Sequence, residues 1–266
     1  MYRNLLLVLF IWGAISCNTN EPKDENISVA NALPPPAIIN YNIVATYPHD
    51  TSYYTEGFQL YKNNLFESTG NYGVSKLVQI DLKTGKPVKV LSLNEKYFGE
   101  GLTVLNDTIY QMTYKEKTGF VYDMNFKLIR TFTYDTEGWG MTTDGKSLIM
   151  SDGSSNLYYR DPKNFSTQKI VSVTDNNGPV ANVNELELVD GYIYANVWNT
   201  DNIIKIDPSN GHVVGKMDFT GLLEKAGKPG PDYNVGNVLN GIAYDSTKKT
   251  LLITGKMWPL IFEVKL

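Results

Sequence analysis

Several side chains that can move protons or stabilise charge stand in short phrases that echo one another along the chain. The phrases are EGF (residues 56–58), FGEGLT (98–103), EGWGMTTDG (137–145), NELEL (184–188) and LNGIAYD (239–245). Glu100 and Asn184 stand within them, and Lys256 follows an apolar run in TGKMWP. A carboxyl group in an apolar pocket can shuttle protons near neutral pH, and an ammonium can stabilise a developing negative charge. These residue types could therefore support acid–base catalysis.

Each of these residues also has an ordinary structural interpretation, and the residues by themselves leave both open. A Glu at the position of Glu100 can cap a turn, a Lys is usually solvated, and an Asn is common where a loop meets a strand. Aromatic residues near the phrases can wall a pocket, or they can pack between sheets. The aromatic candidates for a pocket wall are Phe98, Tyr114, Trp139 and Trp198, with Trp258 as a weaker candidate.

The phrases also mark a structural repeat. Each is followed by a strand-like run, such as TIYQMTY (108–114) or YIYANVW (192–198), and then by a second run that ends at or near an acidic turn. The acidic turns stand at Asp81, Asp123, Asp161 and Asp207, with a fifth equivalent near Glu263. A spacing of ~40 residues is typical of propeller blades, and the runs alternate with a period of two. We therefore predict an all-β fold, a five-bladed β-propeller, rather than a sandwich.

Two details complete the predicted fold. The last repeat stops at IFEVKL, short of a whole blade, so the early strand at residues 38–48 is predicted to close the ring. Residues 219–226 (FTGLLEKA) are predicted to form a single short helix inside the longest insertion between repeats.

The composition supports this fold class and excludes several functions. The chain has 266 residues, of which 42% are hydrophobic and 12% aromatic, which suffices for the core of one large domain. The net charge of -4 and the lack of a basic stripe argue against a nucleic-acid partner. The single cysteine, together with two distant histidines, His49 and His212, excludes a Cys/His zinc site. The chain shows no P-loop, nucleophile elbow or dinucleotide fingerprint.

The N-terminus is predicted to be a targeting segment. Arg3 precedes an apolar run at residues 5–15 that is too short to span a bilayer, and small residues then precede Cys17. This arrangement resembles a bacterial lipobox, in which Cys17 would be lipidated; a plain signal peptide with an incidental cysteine is the alternative. We therefore expect a lipoprotein signal peptide at residues 1–17, a flexible polar and proline-rich linker at 18–37, and the propeller at 38–266. The protein would be exported to the cell envelope and attached to a membrane.

The order of the phrases identifies a family. FGEGLT, EGWGMTTDG, NELE, ANVWNTDNIIKID, LNGIAYD and TGKMWPLIFEV resemble the signature phrases of the plant-type glutaminyl cyclases, also called glutamine cyclotransferases, which have bacterial members. The resemblance covers residues 40–266. It implies a five-bladed propeller that converts N-terminal glutamine, in peptides or free, to pyroglutamate with release of ammonia. It also implies that no metal or other cofactor takes part.

The resemblance implies roles for individual residues. Glu100 would act as general base and then as general acid. Lys256 would be a site residue, and we expect it to stabilise negative charge on the γ-carbonyl oxygen or to tune Glu100. Asn184 is expected to fix the substrate amide. The expected substrate-binding residues are Tyr54, Glu56, Phe98, Tyr114, Trp139 and Trp198.

The chain departs from the family pattern at three of these positions. The first repeat often reads Phe-Thr-Gln-Gly, whereas here it reads Tyr-Thr-Glu-Gly at residues 54–57, and the position of Tyr114 is often Trp. Glu56 adds a second carboxylate, which could bind the α-ammonium of the substrate or share a hydrogen-bond network with Glu100. We interpret the three departures as compatible with activity, and the hydroxyl groups of Tyr54 and Tyr114 could alter substrate preference.

Two other functions are weighed against the cyclase. A surface-anchored propeller could bind a peptide or glycan without turnover, because one propeller scaffold serves many functions. A calcium-dependent, lactonase-type hydrolase would need oxygen ligands that converge on the propeller axis. The oxygen-bearing candidates for such ligands are Glu56, Glu100, Asn184 and Asn240. A closed propeller has no open sheet edge that needs a partner, so we expect a monomer.

Overall fold

Strands make up nearly all of the regular structure in residues 33–266, the part of the chain that this computed structural model describes. Strands nearest the propeller axis are buried on both faces, as in Gly99–Leu105, where all seven residues are buried. Strands at the outer edge alternate instead, as in Val213–Asp218, where every second side chain is buried. The sequence therefore alternates clearly only in the outer strands, because only those have one solvated face.

The elements follow one another with short connections. In chain order they are β1 (Ala37–Ile38), β2 (Asn42–Pro48), β3 (Thr55–Tyr61), β4 (Asn64–Thr69), β5 (Lys76–Ile80), β6 (Pro87–Ser92), β7 (Gly99–Leu105), β8 (Thr108–Thr113), β9 (Thr118–Asp123), β10 (Leu128–Thr133), β11 (Met141–Thr143), β12 (Leu148–Ser151), β13 (Asn156–Arg160), β14 (Thr167–Ser172), β15 (Thr174–Asp175), β16 (Gly178–Pro179), β17 (Val183–Val189), β18 (Tyr192–Val197), β19 (Asn202–Ile206), β20 (Val213–Asp218), α1 (Leu222–Lys225), β21 (Leu239–Asp245), β22 (Thr250–Gly255) and β23 (Leu260–Lys265).

Five antiparallel sheets form the blades of the predicted propeller. The first four blades are β3–β6, β7–β10, β11–β14 and β17–β20, each built from consecutive strands. The fifth blade contains β21, β22 and β23, and β2 pairs antiparallel with β23 as its fourth strand, with Thr46 opposite Phe262. The second and the last strands of the described residues thus lie in one sheet. Within the predicted closing segment, β1 is a separate strand that pairs in parallel with β20 of the fourth blade.

Apolar side chains fill the space between neighbouring blades. Each of five core clusters joins two adjacent blades, and one of them joins the fifth blade to the first through Phe58, Leu65, Ala243, Leu252 and Ile261. Because every blade packs against two neighbours, the ring is closed by buried apolar surface as well as by the β2–β23 hydrogen bonds.

Close approach of the strands at the axis depends on glycine. A Cβ atom at Gly101 would lie 2.6 Å from the carbonyl carbon of Gly140, and one at Gly140 would overlap the backbone of Asn184. The first strands of the second, third and fourth blades therefore meet along their backbones.

The turns agree with the prediction in four repeats and differ in the fifth. Asp81 accepts a hydrogen bond from the Thr84 N–H at 2.9 Å, and Asp207 accepts one from the Ser209 N–H at 2.9 Å. Glu263 lies inside β23 and is buried, so the fifth acidic turn does not exist as predicted. At Glu263 the last strand instead pairs with β2, a strand from the N-terminal part of the described residues. The predicted helix is present but shorter, at Leu222–Lys225.

The predicted signal peptide, the lipidation site at Cys17 and most of the predicted linker lie outside the described residues. Among residues 33–266, no helix is long and apolar enough to cross a membrane.

Candidate active site

The first strand of four blades carries a β-bulge near its N-terminal end, at the axis. The pairing register shifts between Thr55 and Gly57 in β3, and equivalent shifts occur in β7, β17 and β21. A bulged residue is left out of the ladder, and its side chain is turned away from the regular alternation. The polar residues at these bulges are Glu56, Glu100, Asn184, Glu185 and Asn240. The repeated phrases therefore place polar side chains from four blades near the axis, with Trp139 at the corresponding place before β11 of the third blade.

Residues that follow the second strand of a blade reach the same end of the propeller. Tyr114 follows β8, Trp198 follows β18 and Lys256 follows β22. In an antiparallel hairpin the end of the second strand lies beside the start of the first. Positions that are far apart in sequence, such as Glu56 and Lys256, therefore become neighbours.

All nine residues predicted for the catalytic and substrate-binding sets line one cavity of about 220 Å³. They are Tyr54, Glu56, Phe98, Glu100, Tyr114, Trp139, Asn184, Trp198 and Lys256. Trp258, the weaker candidate, is not among them. It is buried in the core cluster between the fourth and fifth blades, and its ring lies against Phe262 with centroids 6.4 Å apart.

A buried ion pair forms one side of the cavity. The Lys256 Nζ donates to Oε1 of Glu56 at 2.7 Å, and both side chains are 5% exposed or less. Asn240 donates from Nδ2 to Oε2 of Glu56 at 3.4 Å. Burial alone lowers the pKa of Lys256, but the carboxyl groups of Glu56 and Glu100 raise it above its ordinary value. The lysine is therefore held as an ammonium.

The second carboxyl group of the cavity, Glu100, is set up to carry a proton. Burial, the neighbouring Glu56 charge and a hydrogen bond with Glu56 raise the pKa of Glu100 well above its ordinary value, against the opposing effect of Lys256. Burial also raises the pKa of Glu56, but Lys256 opposes this by charge and by hydrogen bonding. The Lys256 ion pair therefore favours the ionised form of Glu56, and the neighbouring Glu56 charge favours the protonated form of Glu100.

Five aromatic rings also line the cavity. The Phe98 ring lies edge-on to Tyr54, with centroids 6.2 Å apart, and 5.7 Å from Tyr114. Trp139 and Trp198 lie edge-to-face at 5.8 Å. Trp198 is 38% exposed, which places it at the mouth of the cavity. Lys256 lies 4.6 Å from the centroid of Tyr54, so the ammonium also meets an aromatic face.

Asn184 presents an unused acceptor to the cavity. Its side chain is 2% exposed, and its Oδ1 atom has no hydrogen-bond partner among the described residues. A buried amide oxygen without a partner is costly, and a hydrogen bond from a bound ligand would remove that cost.

Two residues of this region were missed as members of the cyclase site. Asn240 stands in the LNGIAYD phrase at the place equivalent to Glu56, Glu100 and Asn184, so the repeat itself carried the signal. Glu137 accepts a hydrogen bond from Trp139 Nε1 at 3.2 Å and holds that ring at the cavity. No sequence pattern indicated this contact.

The geometry does not favour a calcium centre. Within residues 33–266, no group of three His, Cys, Asp or Glu side chains is arranged to hold a metal ion. The Lys256 ammonium is bonded to Oε1 of Glu56 at 2.7 Å, so one candidate oxygen ligand of the calcium alternative is already paired. A site that already contains a buried ammonium has its carboxylate charge neutralised without a metal.

Comparisons with known proteins show the family of this chain. The family model described as glutamine cyclotransferase matches residues 11–266. A glutaminyl-peptide cyclotransferase of Arabidopsis thaliana is 42% identical over 231 residues, which span 84% of this chain and 70% of the relative. A crystal structure of Myxococcus xanthus glutaminyl cyclase superimposes with a TM-score of 0.79 at 35% identity, and covers 86% of this chain and 97% of that one. The chain belongs to the glutamine cyclotransferase family.

Proposed function

We propose that this protein is a glutaminyl-peptide cyclotransferase, which converts N-terminal glutamine, in peptides or free, to pyroglutamate and ammonia. The observation that carries this proposal is the buried Glu100 carboxyl group in the same cavity as the Lys256–Glu56 ion pair, with aromatic rings in the cavity lining. Family membership supports the same reaction, because the Arabidopsis and Myxococcus relatives are named for it.

The cavity suits a glutamine side chain folded back on its own amine. The aromatic wall would hold the aliphatic carbons and keep water away, which favours ring closure over hydrolysis. The ionised Glu56 would attract the α-ammonium, and the free Oδ1 of Asn184 would accept a hydrogen bond from the γ-amide N–H₂. Holding the amine near the γ-carbonyl carbon removes most of the entropic cost of cyclisation.

Glu100 would move the proton that the reaction requires. Before the reaction, the α-ammonium and the Glu100 carboxyl group each release one proton to solvent. As the neutral α-amine nitrogen then forms a bond to the γ-carbon, it loses one hydrogen to the carboxylate of Glu100. The bond from the γ-carbon to the amide nitrogen then breaks, and Glu100 returns a proton to that nitrogen, which leaves as ammonia. One carboxyl group thus serves as base and then as acid, and its raised pKa brings both states within reach near neutral pH.

Lys256 would stabilise the negative charge that develops on the γ-carbonyl oxygen. It is buried, charged and already held by Glu56, so it would need little rearrangement during the reaction. A fixed charge in a site that excludes water stabilises an oxyanion far more than the same charge in solvent.

We also propose that the protein is exported and attached to a membrane through a lipid on Cys17, and that the propeller acts as a monomer. Support comes from the apolar run, the small residues before the cysteine and the polar segment that follows. Membrane fractionation of the wild type against Cys17→Ser tests this. The wild type is expected in the membrane fraction and the variant in the soluble fraction; a soluble wild type would contradict the anchor.

The reaction is tested with residues 28–266 and a peptide that begins with glutamine, in excess chelator. Mass spectrometry should show loss of one ammonia with the wild type, and a rate lower by about 10²- to 10⁴-fold with Glu100→Gln. No loss of ammonia from a folded wild-type domain would refute the cyclase for this peptide class. Turnover that requires calcium would support the hydrolase alternative instead.

A further inference from the structure

The turn that carries Lys256 lies at the interface between the fifth and first blades, the seam at which the ring closes. Residues 255–258 leave β22, and the Met257 N–H donates to the Tyr53 carbonyl at 2.7 Å. The Thr55 hydroxyl oxygen also lies 3.3 Å from the Gly255 carbonyl oxygen. Thr55 is adjacent to Glu56, so the seam lies directly behind both members of the ion pair.

His49 is buried in the same seam. Its side chain is fully buried, and it packs edge-on against the rings of Tyr53 and Phe58 at 6.1 and 6.5 Å. Its Nδ1 lies 2.7 Å from the Trp258 carbonyl oxygen, and its Nε2 lies 3.1 Å from Oε2 of Glu67. The ring therefore joins β4 of the first blade to the last residue of the Lys256 turn.

The partners of the ring determine its protonation state. A carbonyl oxygen can only accept, so Nδ1 must carry a hydrogen. Glu67 accepts the Thr55 hydroxyl on Oε1 at 2.7 Å and faces Nε2 with its other oxygen, so both of its oxygens meet donors if Nε2 is also protonated. Burial lowers the pKa of His49, but Glu67, the Trp258 carbonyl and the nearby Asp50 together raise it above its ordinary value. The geometry fits a buried imidazolium–carboxylate pair.

We propose that His49 is a positioning residue for Lys256, and that it acts as an imidazolium clamped between Glu67 and the Trp258 carbonyl. The ring holds the turn at Trp258, and Thr55, which is hydrogen-bonded to Glu67, contacts the turn at Gly255. Lys256 lies between these two points. The kinetic test of this inference rests on the proposed function. The charge and the contacts of the His49 ring can be measured without turnover.

The protonation state is tested first in the wild type. The chain has two histidines, so a protein labelled with ¹⁵N-histidine has two ring spin systems, and His212→Gln assigns them. The His49 ring should stay doubly protonated well above pH 6.5, the ordinary histidine pKa. A His49 ring that is neutral at pH 7 would overturn the imidazolium clamp.

Kinetics test the positioning role. His49→Gln keeps one donor and loses the clamp, so kcat should fall by about 10- to 100-fold, more than KM changes. The acid limb of the pH profile should also move, because the Lys256–Glu56 contact is loosened. Glu67→Gln should act similarly, and the double variant should be little worse than either single one, as expected for a pair that acts as a unit.

A matched variant separates positioning from general stability. Glu263 is a buried carboxylate at the other end of the β22–β23 hairpin, and it accepts bonds from Tyr47, Lys248 and Thr250. Glu263→Gln should weaken the same blade but leave kcat and the pH profile unchanged. If the His49 and Glu67 variants lose only stability, as Glu263→Gln does, the positioning role is refuted.

A further readout needs no variant of the seam at all. Coupling between two sites is reciprocal, so a pyroglutamyl peptide bound at Lys256 should shift the His49 ring resonances and leave those of His212 in place. An active enzyme whose His49 resonances do not respond to saturating product would overturn the proposal even if His49→Gln fails to fold. Turnover of the glutaminyl peptide by the wild type reports the proposed function separately.

Discussion

The Lys256 ammonium lies 2.7 Å from the Glu56 carboxylate, and these residues come from the fifth and the first blade. The pair thus spans the point where the ring closes, 200 residues apart in sequence. The charge of Glu56 bears directly on Glu100, whose pKa it raises.

Glu56→Gln should move the acid limb of the kcat/KM profile to lower pH. The Glu56 charge raises the pKa of Glu100, so its removal lowers that pKa and leaves Glu100 ionised, and able to act as base, at lower pH. The pH dependence of kcat/KM for a glutaminyl peptide measures this. An acid limb that stays in place would show that Glu100 does not sense Glu56.

Lys256→Met should impair both stability and catalysis. It leaves Glu56 buried without its partner, which costs about 3–5 kcal/mol, and it should reduce kcat by about 10²- to 10³-fold through loss of charge stabilisation. Urea unfolding and steady-state kinetics give the two numbers. The double variant Glu56→Gln/Lys256→Met should regain much of the stability but not the activity. Recovered activity in the double variant would contradict a role for Lys256 in charge stabilisation.

Glu187→Gln should flatten the pH dependence of stability. Glu187 is buried and accepts the Tyr244 N–H at 3.0 Å, and burial raises its pKa to about 8. The folded state therefore binds the Glu187 proton more tightly than the unfolded state does. The stabilising contribution of Glu187 is complete below pH ~4.5 and is lost as the pH rises through about 8.

The comparison is made by urea unfolding between pH 5 and 8. The wild type should lose stability relative to Glu187→Gln over this range, by on the order of 4 kcal/mol. Parallel stability curves would show that Glu187 has the same pKa in both states.

Trp198 and Trp258 should respond differently to truncation. Trp198 is half-exposed at the cavity mouth against Trp139, so Trp198→Ala should raise KM by about 2- to 10-fold and cost little stability. Trp258 is fully buried, so Trp258→Ala should cost about 3–5 kcal/mol. Thermal unfolding and KM measured on both variants separate the two effects. A large stability loss in Trp198→Ala would place it in the core rather than at the site.

The extent of sequence-based prediction differs from residue to residue. Glu56, Glu100 and Asn184 could be found because they stand in repeated phrases, and the same logic applied to LNGIAYD would have included Asn240. The phrase TGKMWP does not show whether the Trp258 ring points into the pocket or into the core. Met257 adopts a positive φ of 60°, and the following Trp258 ring folds over Gly255 into the core. A local turn geometry of this kind leaves no pattern in the sequence.

The contacts of His49 could not be predicted from the sequence either. In sequence it has no companion at ligand spacing, and its partners Glu67 and Trp258 lie 18 and 209 residues away. Only the closure of the ring brings the three together. Likewise, nothing local to Glu263 distinguishes a hairpin turn from a strand that pairs with the other end of the chain.

The sequence by itself determined the repeat, and with it the all-β propeller and the residues that reach one end of its axis. These follow from local patterns, because strand alternation, turn residues and phrase order act over a few residues at a time. The tertiary structure alone decided which ionisable side chains interact: Lys256 with Glu56, Glu56 with Glu100, and His49 with Glu67. Those pairings depend on ring closure and β-bulges, which set distances between blades, and on burial, which converts short distances into strong shifts in protonation.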